Sequence, residues 1–260
     1  MSAMQRYRIQ FPIDDTEALD QDEAYFHLHD EAGRRTIRFH DYDVIYRYPG
    51  LYEQVFYDRL KCQSPATVAS ILTKAVDRAG GEVSTLRVLD LGAGNGMMGD
   101  ELRRHGVSRL VGADIIKEAY DAYLRDRPGC YDDYLVADLA DLDDETAQRL
   151  DSWSLDCLTT VAALGFGDIP AAAFVNAFNL IRAGGWVAFN IKETFLDQRE
   201  STGFTRMVRE LIFTDYLEIH HMERYRHRLS IDGAPIFYYA IAGIKTAPVP
   251  SDAFLHLADQ

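Results

Sequence analysis

The feature that most constrains this chain is the run Arg87 to Gly99, R-V-L-D-L-G-A-G-N-G-M-M-G. A short apolar segment, Val88 to Leu91, enters a turn holding Gly92, Gly94 and Gly96, after which the pattern turns helical. Glycine is needed where backbone takes positive φ or lies flat against a ligand. A glycine turn that opens a helix also aims free N–H groups and the positive end of the helix dipole at whatever binds there. Placed after the first strand of a doubly wound α/β domain, such a turn makes a nucleotide-type cofactor site.

The glycines parse two ways. Gly92, Gly94 and Gly96 give G-x-G-x-G in register with the strand end. Gly94, Gly96 and Gly99 give the dinucleotide pattern G-x-G-x-x-G, two residues late. A tight turn with no ligand is the plain alternative. Acids then recur at strand ends. Asp114 closes the strand expected at Arg109 to Asp114, 24 residues past Asp90, and Asp138 follows the strand at Tyr134 to Ala137, a further 24 on. All three project at the carboxyl edge of the sheet, where ligands bind in such folds. Asp114 is placed for both ribose hydroxyls of an adenosine-containing cofactor, with helix capping as its bland role.

The strand expected at Leu155 to Val161 is apolar without alternation, as a central parallel strand buried on both faces should be. Asp168 and Pro170 start the next helix, and Gly184-Gly185 turns into a fifth strand within "RAGGWVAFNIKE". Thr202 to Thr214 is an amphipathic helix with Phe204, Met207, Val208, Leu211 and Ile212 on one face. Leu217 to Ser230 and Ile236 to Lys245, joined by Asp232-Gly233, form a hairpin.

"VLDLGAGNG", the glycine pair before strand five and the terminal hairpin resemble the class I S-adenosylmethionine-dependent methyltransferases. The stretch "GFGDIP…NLIRAGGWVAFNIKETF" is similar to small-molecule-type methyltransferases that include the Williams–Beuren-region methyltransferase-like proteins. The resemblance covers about residues 40–245, with specific motifs at strands one to five. It implies a doubly wound, mainly parallel seven-stranded α/β sheet with an antiparallel C-terminal hairpin, preceded by an N-terminal β-hairpin and helix appendage. It implies S-adenosyl-L-methionine as cofactor, with backbone contacts from Gly92, Gly94 and Gly96 and carboxylate contacts from Asp114 and Asp138. Asp90 is expected near the methionine amino group, Ile115 on the adenine face, Leu139 offering a backbone N–H to adenine, and Val161 beneath the sulfonium. An NAD(P)-dependent oxidoreductase is the competing enzyme class, and a cofactor-binding interaction module or protein methyltransferase the other alternative.

The segment before this domain, residues 1–63, holds 7 of the 15 tyrosines, and the domain itself is expected at 64–260. Ala24 to Tyr48 looks β-like, with a hairpin turning near Gly33. Leu51, Tyr52, Val55, Phe56 and Leu60 fit one face of a short helix. His27 and His29 share a strand face but lack a third ligand, so they are expected as polar residues rather than a metal site. Ser64-Pro65 is a helix start, with serine as cap. The aromatic appendage is expected to be either a lid or a docking surface.

The formal charge of −14 disfavours a nucleic-acid substrate, since phosphate backbones demand concentrated positive charge. Arg224, Arg226 and Arg228 alternate along a strand and are expected on one solvated face. Cys62, Cys130 and Cys157 are odd in number and widely spaced, against a disulfide framework or zinc site. No leader or spanning stretch is expected, which places the chain in the cytoplasm with a small-molecule acceptor and neither membrane nor nucleic acid as partner.

Methyl transfer from a sulfonium needs positioning and solvent exclusion, and a base only when the acceptor carries a tightly held proton. The methyl should lie near Val161 to Leu164. That stretch lacks the Asn-Pro-Pro-Tyr-type sequence of enzymes that methylate planar amino groups, and Cys157 is set inside its strand, away from any nucleophile position. Tyr46, His40 and Glu193 are the candidate bases.

Overall fold

The computed structural model describes residues 6–12, 23–31, 33–164, 168–196 and 203–250. The appendage begins with β1 (Arg8–Gln10), β2 (Tyr25–Asp30) and β3 (Gly33–Arg38), an antiparallel sheet in that order. β1, too short to show alternation, was not expected; its Ile9 lies opposite Leu28. Helix α1 (Tyr42–Arg47) stands where extended chain was expected. Aromatic and β-branched residues gave the segment its β character. Yet Tyr42, Ile45 and Tyr46 stand at i, i+3 and i+4, and Asp43 and Arg47 flank the turn with charges suited to the helix dipole. A wide π-helical turn, Glu53–Arg59, replaces the expected short helix but buries the expected face of Leu51, Val55, Phe56 and Leu60.

The main domain is α2 (Ser64–Arg78), β4 (Arg87–Leu91), α3 (Met97–Arg104), β5 (Arg109–Asp114), α4 (Lys117–Asp126), β6 (Asp133–Val136), α5 (Asp144–Ser152), β7 (Cys157–Thr160), α6 (Ala171–Leu180), β8 (Trp186–Lys192), α7 (Gly203–Phe213), β9 (Leu217–Leu229) and β10 (Pro235–Lys245). Seven strands form one sheet in the order β6-β5-β4-β7-β8-β10-β9. Strands β4 to β8 pair in parallel, and β10 runs antiparallel to both β8 and β9. Strand order reverses between β4 and β7, so the crevice for a ligand opens at their carboxyl ends.

Alternate residues of β4 feed opposite cores. Val88 packs with Val68, Leu72 and Leu102 beneath α2 and α3, whereas Leu89 joins Phe174, Phe178 and Phe189 beneath α6. Met207, Val208 and Leu211 of α7 close that second core as the helical pattern required; the side chain of Phe204 lies outside the described residues. Phe26, Leu28, Phe39, Ile45 and Leu51 build a separate core for the appendage.

One strand departs from its expected phase. Phe237 lies opposite Arg226 and Ile236 opposite Arg228, so His227 is an extra residue, a β-bulge. A one-residue slip moves every later side chain to the other face. Arg224 stays outside, lying over the Phe237 ring at 3.7 Å, and Arg226 is half-buried, but Arg228 turns inward and is only 5% exposed. The expectation of three solvated arginines fails at Arg228 for that reason.

Among the described residues no helix is long and apolar enough to cross a membrane. His27 is a cross-strand polar residue: its Nδ1 meets Thr36 Oγ1 at 3.1 Å and its Nε2 accepts from Arg34 at 2.9 Å.

Candidate active site

The glycine turn is held from within. Gly92 and Gly94 take φ of 72° and 53°, which glycine adopts without penalty. Gly92 N–H donates to the Ala113 carbonyl at 2.9 Å, and Gly96 N–H to that of Ala93 at 3.0 Å. Gly94 N–H donates to Asp114 Oδ2 at 2.9 Å, while Ile116 N–H donates to Oδ1 at 2.9 Å. Asp114 therefore fastens the turn to the end of β5. Burial pushes its carboxyl upward against those same hydrogen bonds.

Above the turn lies a cavity walled by Gly92, Asp114, Ile115, Asp138, Leu139 and Val161. Six of the nine expected cofactor residues meet there. Ile115 is 57% exposed, an apolar surface that a flat ring would cover. Asp138 accepts from Ala140 N–H at 2.8 Å, which fixes its carboxylate at the rim.

Asp90 and Gly94 line an adjoining cavity with Asn95, and the two spaces meet at Gly92, Val161 and Ala162. Asp90 is 1% exposed and accepts from the Tyr131 hydroxyl at 2.6 Å and the Thr159 hydroxyl at 2.7 Å. Burial outweighs both donors and pushes its carboxyl up to about 7. Gly96 lines neither space. A β-carbon there would stand 2.9 Å from Cys130 Sγ, so its glycine serves the start of α3.

The appendage reaches into both cavities through Tyr46 and Tyr52. Glu53, buried at 6% exposure, accepts from Asn95 Nδ2 and from Arg127, each at 2.8 Å. That leaves Asn95 Oδ1 and Glu53 Oε2 buried without a donor. No sequence pattern marked Glu53, because an acid within an aromatic run looks solvated.

A third cavity lies on the far side of Ala162 between the appendage and the C-terminal hairpin. Ala162 has φ of 59°, and its N–H donates to Asn190 Oδ1 at 2.7 Å. Asn190 Nδ2 donates to the Tyr225 hydroxyl at 2.8 Å, which lies 2.7 Å from Ser64 Oγ, itself 2.6 Å from His227 Nδ1. Ser64 thus spends its hydroxyl in this buried network instead of capping α2, because Gln63 takes the cap position. Asp168, expected at a helix start, instead meets His40 Nδ1 with both oxygens at 2.9 Å, across 128 residues of sequence. Both line the third cavity.

Of the three candidate bases, His40 stands at that wall. Tyr46 lines the cofactor cavities, and burial pushes its hydroxyl well above the usual range, so it serves as a neutral donor. Glu193 is committed to Arg224 at 2.6 Å and lies outside the three cavity walls.

The residues fit S-adenosylmethionine. Ile115 and Leu139 offer apolar surface for adenine and Asp114 an acceptor for ribose, while Asp90 and the orphaned Asn95 Oδ1 suit an ammonium. A dinucleotide's pyrophosphate would instead need free N–H groups at the turn, and those of Gly92, Gly94 and Gly96 are occupied.

A family model described as a methyltransferase domain matches residues 89–189. No curated protein matches the chain. Among solved structures, a protein of Pyrococcus horikoshii described provisionally as an RNA methyltransferase is 16% identical over 72% of this chain and 87% of its own, with a TM-score of 0.51. The N-methyltransferase NodS of Bradyrhizobium japonicum, in complex with S-adenosyl-L-homocysteine, is 13% identical over 69% of this chain and 86% of its own, with a TM-score of 0.47. Magnesium protoporphyrin IX methyltransferase of Synechocystis is 15% identical over 70% of this chain and 83% of its own, with a TM-score of 0.46. The likeness to the first is one of fold. With the methyltransferase-domain match lying on the strands that build the cofactor cavities, the chain is an S-adenosylmethionine-dependent methyltransferase, and S-adenosylmethionine is its cofactor.

Proposed function

We propose that the chain methylates a small molecule held in the third cavity, with residues 1–63 acting as its cap. The observation that carries this reading is the position of that cavity, against Ala162 at the exit of β7 and roofed by Phe39, Tyr42 and Phe56 of the appendage. A space roofed by the appendage suits a small ligand better than a polymer, and the −14 charge opposes a nucleic acid. The sequence resemblance to small-molecule-type methyltransferases, the Williams–Beuren-region group among them, agrees with this.

Bound S-adenosylmethionine supplies a methyl group already activated on a sulfonium. The chain's part is to align and to exclude water. Asp114 and Asp138 hold the adenosine end, Asp90 and Asn95 the amino-acid end, and Tyr42, Tyr46 and Tyr52 close the space over both. His40, oriented by Asp168, takes the acceptor's proton as the methyl arrives, an arrangement general bases share.

The test is to incubate the protein with methyl-tritiated S-adenosylmethionine and fractions of a cell extract. Label entering a product below about 1 kDa that separates by chromatography from S-adenosylmethionine and its breakdown products supports the proposal. Label entering only protein or RNA would overturn it.

A further inference from the structure

We propose that the methyl acceptor is a small apolar acid whose carboxylate, or an equivalent oxyanion, seats on the Arg228 guanidinium. This rests on the third cavity being the acceptor site. Arg228 lines that cavity at 5% exposure. Its contacts are one hydrogen bond from Nη1 to the Leu229 carbonyl at 2.9 Å and a position 5.2 Å from the Phe39 ring. Among the described residues no carboxylate lies within ion-pair distance of it.

A buried, unpaired cation is costly, and the fold goes out of its way to place it. Without the bulge at His227, Arg228 would share the outer face with Arg224 and Arg226. Bulges are used near active sites to re-aim side chains. A guanidinium presents five donors in a planar fork matched to a carboxylate, and among the described residues it makes one hydrogen bond.

Among the described residues no other titratable group on the wall pairs directly with this charge. The Asp168 carboxylate is turned to His40 Nδ1, which both its oxygens meet at 2.9 Å. His227 is buried against Tyr238, and burial, then the neighbouring Arg228 charge, hold its imidazole well below the usual range and hence neutral. Burial raises the Cys62 thiol, which stays neutral as well. Burial raises the hydroxyls of Tyr42 and Tyr52, which carry no charge near neutrality. Phe39 and Phe56 supply the rest of the surface, so the complementary occupant is an apolar body with one negative group. The acid end lies at Arg228 and the attacking atom at the Ala162 end, beside the His40–Asp168 pair.

The experiment is calorimetric titration of the whole protein with acid and amide pairs of matched shape: benzoate and benzamide, 3-phenylpropanoate and its amide, hexanoate and its amide. Each pair is measured with and without saturating S-adenosylhomocysteine. Wild type should bind at least one acid roughly tenfold or more tighter than its amide. Arg228→Gln should erase that preference and Arg228→Lys keep part of it, with affinity for S-adenosylhomocysteine unchanged in both as the check on folding. No acid preferred in the wild type, or a preference that survives Arg228→Gln, overturns the proposal. Failure of S-adenosylhomocysteine to bind wild type would instead sink the methyl-transfer reading, while the titrations without it still read the anion site.

Discussion

The Tyr46 hydroxyl stands 2.5 Å from the point a β-carbon on Gly94 would occupy. Gly94 is thus required twice over, by its φ of 53° and by a side chain that the appendage inserts across the cofactor turn. The two segments are joined elsewhere too: Arg125 donates to the Tyr46 carbonyl at 3.0 Å, and Arg47 pairs with Glu118 at 2.9 Å.

Gly94→Ala should destabilise the protein by about 2 kcal/mol, from backbone strain and the collision together. Adding Tyr46→Phe removes the colliding oxygen, so the double variant should be more stable than Gly94→Ala alone. Urea denaturation of the four proteins in a double-mutant cycle reads the coupling. Strict additivity would mean that Tyr46 moves aside at no cost.

Asp90 should make stability depend on pH. Its carboxyl rises from 3.8 in the unfolded chain to about 7 in the fold, so between those values the folded state binds more protons. The stability it contributes is full below the lower value and is lost as pH rises through about 7, amounting to a few kcal/mol. Wild type should therefore weaken between about pH 4 and about pH 7, and Asp90→Asn should flatten that decline. An ammonium placed beside Asp90 would favour its ionised form, so titration with S-adenosylhomocysteine at pH 6 should release protons, read from heats in buffers of different ionisation enthalpy. An unchanged decline in Asp90→Asn would remove the carboxyl from this role.

His40→Gln should lower kcat about a hundredfold or more once an acceptor is in hand, because a general base contributes on that scale. Asp168→Asn should also lower kcat, by misplacing the imidazole. The double variant should lose little more than His40→Gln alone, since the residues act as a unit. Full activity in His40→Gln would show that the acceptor needs no base.

Ala162 holds a left-handed backbone at the exit of β7 through its bond to Asn190. Ala162→Gly should stabilise that conformation by up to about 1 kcal/mol. Asn190→Ala should cost about 1–3 kcal/mol by stripping the Ala162 N–H and the Tyr225 hydroxyl of a partner. Thermal unfolding checks both signs.

The parallel core was legible because its cues are local. Glycine turn, strand-ending acids and apolar runs sit within a few residues of one another, and Asp114 and Asp138 fall at the cavity rim as their spacing required. The acceptor side was not legible, because its parts come from distant segments: His40 with Asp168, Ser64 with His227 and Asn190, and Arg228 against Phe39. Alternation misplaced Arg228, since a single bulge reverses every later face and leaves no mark in composition. The helix at Tyr42–Arg47 was hidden by β-favouring residue types, although its apolar spacing was helical.

The most direct test of the whole account is calorimetric titration of the purified protein with S-adenosylhomocysteine and with NAD, for wild type and Asp114→Ala. The account predicts one site of roughly micromolar affinity for S-adenosylhomocysteine, its loss in Asp114→Ala, and no heat from NAD. Binding of NAD without S-adenosylhomocysteine would contradict it.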